Sequence, residues 1–388
     1  MSFFRNDAIN RINLQVGVQA LAQGAGQLFL LVFLLKVGVG IVPALLAQAA
    51  IVVVRFALRP ALLPLAIRWG LKPLLIAGAL ASAAQYPLLA EVHGVGPALA
   101  AMCLAAAVGE VLYYVSYNAY FAALGDAKHR GHQVAIGQAL SAAAAVVAPL
   151  VGAWALVTAG PRWTFAGVAL VQALSVIPLL YLPNVAVARK APGAWRAARL
   201  SVVLIALDGW FDAAFLYIWQ IALFVSLGQI FTAYGGAMAL AGLAGAVVGL
   251  LMGRHVDAGH GRRAVAIGYG AAVAVTLLRA ASLGSPWLAG LANALGGVAI
   301  PLLIPPLASA THNMAKASPC PLRVKLATEG GWDVGCFCAC LAAVALLRAK
   351  APLWFEVLLA LPPAAVTVWL LRRYYSPLPA SAANLRPS

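Results

Sequence analysis

Ten carboxylates serve a chain of 388 residues, and the few that fall inside long apolar runs are the first candidates for chemistry. In IALDGWFDAAFLYIWQ, Asp208 and Asp212 stand at i and i+4 on one helical face, with Trp219 and Gln220 further along. Two carboxylates one turn apart repel and cannot easily both ionise, so they should titrate as a coupled pair. That suits a proton carrier, with Asp212 the deeper residue and the carrier and Asp208 its modulator. Direct contact with a cationic solute and a hydrated structural role are the competing readings. Glu110 and Arg55 each lie in the middle of an apolar run, about 20 Å from the same boundary at ~1.5 Å rise per residue. They can therefore pair, either for proton coupling or to fix helix packing.

Uncharged groups gather around these. Gln15, Gln19, Gln23 and Gln27 recur every fourth residue and form one polar stripe that should not face lipid. Glu110 is followed by VLYYVSYNAYF, and Tyr113, Tyr117 and Tyr120 share its face. Rings beside a carboxylate suit an organic, cationic solute, while Tyr120, near the boundary, is expected to anchor at the interface. In KLATEGGWDVG, Glu329 is expected to answer the positive end of a helix, and Asp333, one turn deeper, to reach a cavity.

Other chemistries lack their residues. Cys336 and Cys340 would share a helical face while Cys338 points away, so this C-x-C-x-C run reads as packing and not as a metal site. Six scattered histidines form no relay, and there is no phosphate-cradling Gly-Lys-Ser/Thr loop for ATP. No nucleophile has a His and acid partner. The chain is expected to be no enzyme and to carry no cofactor.

The elements that position these residues must lie in lipid. Apolar and aromatic types make up 64% of the chain and charged ones 9%, against roughly 25% charged in soluble domains. Mean hydropathy is +0.93. Spans of about 20 apolar residues cross a bilayer, and the sequence divides into twelve: 13–36, 41–65, 72–91, 97–123, 133–158, 163–183, 200–226, 231–253, 264–282, 286–310, 326–347 and 352–371. The polar N-terminus has no cleavage site after its first apolar run, so the first span is expected to stay. The net charge of +16 sits between spans and predicts no nucleic-acid partner. With both termini cytoplasmic, inner loops and tails hold 20 Lys and Arg, Arg59 being counted there with Arg68 and Lys72, and the outer side holds five, Arg279 among them. That ratio orients the chain in an inner membrane by the positive-inside rule.

The polar segment 184–199 separates residues 1–183 from 200–375, six spans each, with a tail at 376–388. At an offset of 193 residues, Arg130 meets Arg323, Gly137 meets Gly330, and Gln15, Gln19 and Gln27 meet Asp208, Asp212 and Gln220. After the eighth span GRHVDAGHGRR carries Gly253, Asp257, Gly261, Arg262 and Arg263, and after the second LPLAIRWGLK keeps Arg68, Gly70 and Lys72. These loops and the twelve spans in two halves resemble the major facilitator superfamily of secondary transporters over essentially the whole chain. Pro149 and Gly152 in the fifth span resemble, more faintly, a pattern of its proton-coupled exporters.

The resemblance implies two pseudo-symmetric six-helix bundles, the loop residues as a conformational latch with Asp257 at the start of the fifth helix, and a central cavity lined by the first and seventh spans. It would set the Gln stripe across from Asp208 and Asp212. The function expected is secondary active transport of a small organic, amphiphilic solute, coupled to protons, with export favoured, by a monomer in the lipid bilayer. Proton-linked uptake of a metabolite or chelate, and a non-transporting receptor or scaffold of the same fold, are the alternatives.

Overall fold

The computed structural model describes residues 7–124, 130–187, 193, 198–252, 261–316, 318 and 320–376. Among these residues there is no strand, and twelve helices are long and apolar enough to cross a bilayer. In the first half these are α1 (Asp7–Lys36), α2 (Ile41–Trp69), α3 (Leu71–Ala90), α4 (Pro97–Tyr120), α5 (Gly137–Thr158) and α6 (Gly160–Leu180). The second half holds α7 (Arg199–Ser226), α8 (Phe231–Leu251), α9 (Gly261–Ser282), α10 (Pro286–Lys316), α11 (Leu322–Arg348) and α12 (Leu353–Tyr374). Backbone groups have no water to bond in hydrocarbon, so such a sequence can only coil. Even Pro60 and Pro64 are carried inside α2, and the helix runs on to Trp69. This corrects the placing of Arg59 with the inner loop. It lies within the span, one turn from Arg55, and is buried.

Packing repeats with a shift of six helices. α1 packs on α5, α2 on α4, α3 on α4 and α6; correspondingly α7 packs on α11, α8 on α10, α9 on α10 and α12. The halves join along two seams, α2 with α11 and α5 with α8. At the end away from the termini they also meet through rings: Phe29 of α1 lies edge-on to Tyr234 and Phe231 of α8, at 5.6 and 6.2 Å, and Phe224 of α7 stacks behind on Phe231. The Tyr234 hydroxyl donates to the Leu28 carbonyl, and Lys36 Nζ to the Gln229 carbonyl at 3.1 Å, so this end is shut.

Four helices are not uniformly α-helical: α1 passes through a 3-10 turn at Gln27–Phe29, α6 is interrupted by a turn at residues 175–176, α12 passes through a 3-10 turn at Leu358–Ala360, and α7 through a π segment at Ala213–Ile218, immediately after Asp212. A π turn shifts the angular phase of everything beyond it, so faces read at 3.6 residues per turn do not carry across.

Without a hydrophobic force between helices in lipid, small residues set how closely backbones approach. The tightest case joins α7 to α11. A Cβ on Gly335 would stand 1.8 Å from the Ala206 carbonyl oxygen, and one on Gly209 2.2 Å from that of Trp332. A Cβ on Gly330 meets nothing closer than side-chain carbons of Arg59 and Phe56 at 3.6 Å. Gly335→Ala is therefore expected to destabilise the detergent-purified protein by about 1 to 3 kcal/mol of overpacking. Gly330→Ala should leave its melting temperature unchanged. Equal melting temperatures for the two variants would contradict this packing.

Candidate functional site

The charged centre is built on α2. Arg55 and Arg59, one turn apart, project from the same side of the helix, towards α4 and α11. Arg55 Nη1 lies 2.5 Å from Glu110 Oε2 of α4, and Nη2 lies 2.5 Å from Asp333 Oδ1 of α11. Arg59 Nη2 pairs with Asp333 Oδ2 at 2.5 Å, and its Nε donates to the same oxygen at 2.6 Å. Two cations and two anions thus neutralise each other, all largely or wholly out of contact with solvent. Each alone would cost several kcal/mol at this depth. Asp333 is shared by both arginines, so the α2–α11 seam between the halves is ionic at its centre.

The glutamine stripe extends this centre into the first half. Gln27 Nε2 donates to Glu110 Oε1 at 2.9 Å, Gln85 of α3 to Gln27 at 3.3 Å, and Gln23 to the Tyr114 hydroxyl at 2.9 Å. The Tyr113 hydroxyl donates to Gln15, which donates to Gln19 at 2.6 Å. The stripe thus bonds to α3, α4 and itself, within the first half. Tyr117 stacks on Tyr113 at 5.8 Å between centroids. Tyr120 is no interfacial anchor: it is buried, and its hydroxyl donates to the Pro183 carbonyl beyond α6.

On the second half, Trp332 Nε1 donates to Asp212 Oδ2 at 3.1 Å, and the Arg55 guanidinium carbon stands 5.1 Å from the Trp332 ring. One indole thus touches both the aspartate pair and the ionic centre, through a hydrogen bond and a cation–π contact. Tyr217 packs edge-on to the same ring. Asp208 is half-buried, within electrostatic reach of Asp212, Lys325 and Glu329. Glu329 pairs with Lys325 one turn back, at 3.0 Å, where sequence reasoning assigned it to the helix end.

Beyond the π segment the expected face is lost. Trp219 is buried in the second half, donating to Asn293 Oδ1 of α10 at 2.9 Å, and so does not line a central cavity; Gln220 beside it is half-buried. Arg279, placed on the outer side by sequence, is buried inside the same bundle. It donates to the Phe215 carbonyl within the π segment at 2.7 Å and lies over the Phe215 and Trp219 rings. A π turn frees carbonyls from the regular ladder, and this guanidinium meets one of them. No local signal in the sequence could have revealed that contact.

The latch residues bind within their own halves. Lys72 Nζ donates to the Leu180 carbonyl at 2.7 Å, and Gly70 takes φ +81° with the Asn184 side chain packed against it. Arg262 bonds Ser376 and the Arg372 carbonyl at the end of α12, where Tyr375 covers Gly261; Arg68 and Arg263 are exposed. Gly253 and Asp257 lie outside the described residues, as does Asp257's expected contact with α5. Cys336 and Cys340 pack against Ala49, Val52 and Ala213, and Cys338 is exposed.

A family model described as Major Facilitator Superfamily matches residues 16–319. No match was found among curated proteins. Among solved structures, the human organic anion transporter MFSD10 (TETRAN) is similar with a TM-score of 0.64 at 17% identity, over 94% of this chain and 99% of that one. The POT family transporter PepTSo gives 0.65 at 12% identity, over 95% of this chain and 98% of that one. At these identities the likeness is one of fold.

Because the four charges balance, removing one should cost more than removing an opposite pair. Arg55→Gln or Glu110→Gln alone leaves a net buried charge and should lower stability by about 3 to 5 kcal/mol, whereas the double variant should lose markedly less. Thermal unfolding in detergent measures all three. A double variant whose loss equals the sum of the singles would contradict the pairing.

Proposed function

The chain belongs to the major facilitator superfamily of secondary transporters, and from that premise we propose that it moves a small organic, amphiphilic solute by coupling to protons. It would sit in an inner membrane with both termini cytoplasmic and act as a monomer. The observation that carries the reading is the indole of Trp332, held by Asp212 on one side and lying over Arg55 on the other. Proton uptake by Asp212 removes the charge that accepts the Trp332 N–H. That loosens a ring lying over the arginine which bridges α2 to α4 and α11. A protonation event in the second half is thereby tied to the ionic seam that must re-form as the halves rock.

Solute recognition follows from the same groups. Asp212 and Asp208 offer negative charge beside Trp332 and Tyr217, which favours an amphiphilic body bearing positive charge. Solute and proton then compete for one carboxylate pair, and exchange results without further machinery. Outward movement is favoured by the small-residue pattern around Pro149, which lies at a seam: Gly235 of α8 abuts the Pro149 carbonyl, and Gly152 abuts the Ala25 backbone of α1.

Proteoliposomes with an imposed pH gradient and a panel of amphiphilic cations test this directly. Wild-type protein should move at least one compound against its gradient. Asp212→Asn should abolish gradient-driven movement while preserving solute exchange, and Asp208→Asn should mainly shift the pH optimum. Full gradient-driven transport by Asp212→Asn, with an unaltered pH profile, would overturn the assignment.

A further inference from the structure

On the side of α11 away from Lys325 and Glu329, a crevice of about 550 Å³ opens between α2, α7 and α11, within the size range of small-molecule sites. Its walls are apolar: Phe56 and Leu63 from α2, Val202 from α7, and Leu326, Gly330 and Val334 from α11. Phe56 and Val334 are 50% and 45% exposed, and the neighbouring Val203 is 49% exposed. Exposed apolar side chains on three adjoining helices mark a face turned to lipid, whereas Asp208 and Asp212 lie on the other side of α7. The crevice lies along the seam between the halves and reaches the charged centre only at Arg59.

One lining residue is charged. Arg59 passes beneath Gly330, whose added Cβ would meet its Cδ at 3.6 Å. Its Nε and Nη2 are taken by Asp333, but Nη1 is buried with no hydrogen-bond partner. A buried guanidinium donor left unmade is costly, and an acid oxygen is its best complement. Arg59 stands six residues before the span boundary at residue 65, hence about 9 Å inside the hydrocarbon at 1.5 Å per residue. A diacyl lipid keeps its phosphate at the interface, short of that depth. A single-chain acid can cross hydrocarbon uncharged and carry its acid group to the arginine.

We propose that this crevice binds a single-chain lipophilic carboxylic acid, its hydrocarbon against Phe56, Leu63 and Val334 and its acid group on Arg59 Nη1. An occupant there touches α2 of one half and α7 and α11 of the other, and so wedges the seam. The site goes beyond the transport reading, because its occupancy is measured without any gradient and does not depend on what the transporter carries.

The test uses the full chain in phosphatidylcholine nanodiscs, a diazirine-bearing palmitic acid, and mapping of crosslinked peptides. Crosslinks should concentrate in α2 and α11, saturate with probe, and fall about tenfold with excess palmitic acid but less than twofold with hexadecanol, since only the acid answers the charge. Gly330→Leu, which fills the crevice and leaves the ion pairs in place, should lower labelling about tenfold. Val334→Trp, on the exposed rim, provides a second obstruction should the first variant fold poorly. Labelling spread evenly over all spans, or undiminished in both variants, would overturn the site. Equal competition by hexadecanol would overturn the role of Arg59. Labelling of the same peptides by a diazirine phosphatidylglycerol that palmitic acid does not displace would make the crevice a seat for diacyl lipid and overturn the proposal.

Discussion

Arg55, Arg59, Glu110 and Asp333 stand where water cannot solvate them, and the rest of the molecule is arranged so that they solvate one another. Removing a single charge from water into a low-dielectric interior costs several kcal/mol even after relaxation, a large fraction of the total stability of an ordinary domain. Four such groups persist only if α2, α4 and α11 hold them at contact distance, and contact distance is what the fold supplies. The α2–α11 seam is therefore fixed by electrostatics at its centre. Apolar packing of Ala49 and Val52 against Cys336 and Cys340 does the same work towards the start of α2.

Everything adjoining that centre supports its geometry. Gly335 and Gly209 bring α7 and α11 into backbone contact, which sets Trp332 beside Asp212. The stripe on α1 steadies Glu110 from behind through Gln27, itself bonded by Gln85. Arg279 meets a carbonyl of the π segment that follows Asp212 in α7, so the aspartate pair sits beside an irregular stretch of helix stabilised from α9. Irregular backbone near a functional group is tolerated in a membrane only when protein satisfies the freed polar atoms. With the far end shut by the Phe29, Phe224, Phe231 and Tyr234 rings, this arrangement is one of the states between which a transporter of this family alternates.

Composition and spacing made the twelve spans and the two halves legible, because hydrocarbon thickness imposes a length that any apolar run must meet. Arg55 and Glu110 were likewise legible as partners, since equal depth along two helices running the same way follows from rise per residue alone. Arg59 was not: it falls inside the span 41–65 but near its inner end, where a count of basic residues assigns it to the loop that follows. The four-residue repeat of glutamines identified a face but not its neighbour: period gives direction around one helix and says nothing of which helix stands there. Trp219 was misplaced because a π turn changes the period itself, and Arg279 because its partner is a backbone carbonyl 64 positions away in sequence.

The central claim is that proton binding at Asp212 is transmitted through Trp332 and Arg55 to the seam between the halves. Pulsed electron resonance distances between spin labels at Val95→Cys and Trp287→Cys, both exposed at the far end and one in each half, in a background with the native cysteines replaced, test it most directly. Acidification should shift the distance distribution, and Asp212→Asn should produce the acid distribution at neutral pH. A distribution that ignores pH, or an Asp212→Asn variant that still responds to pH as the parent does, would contradict the account.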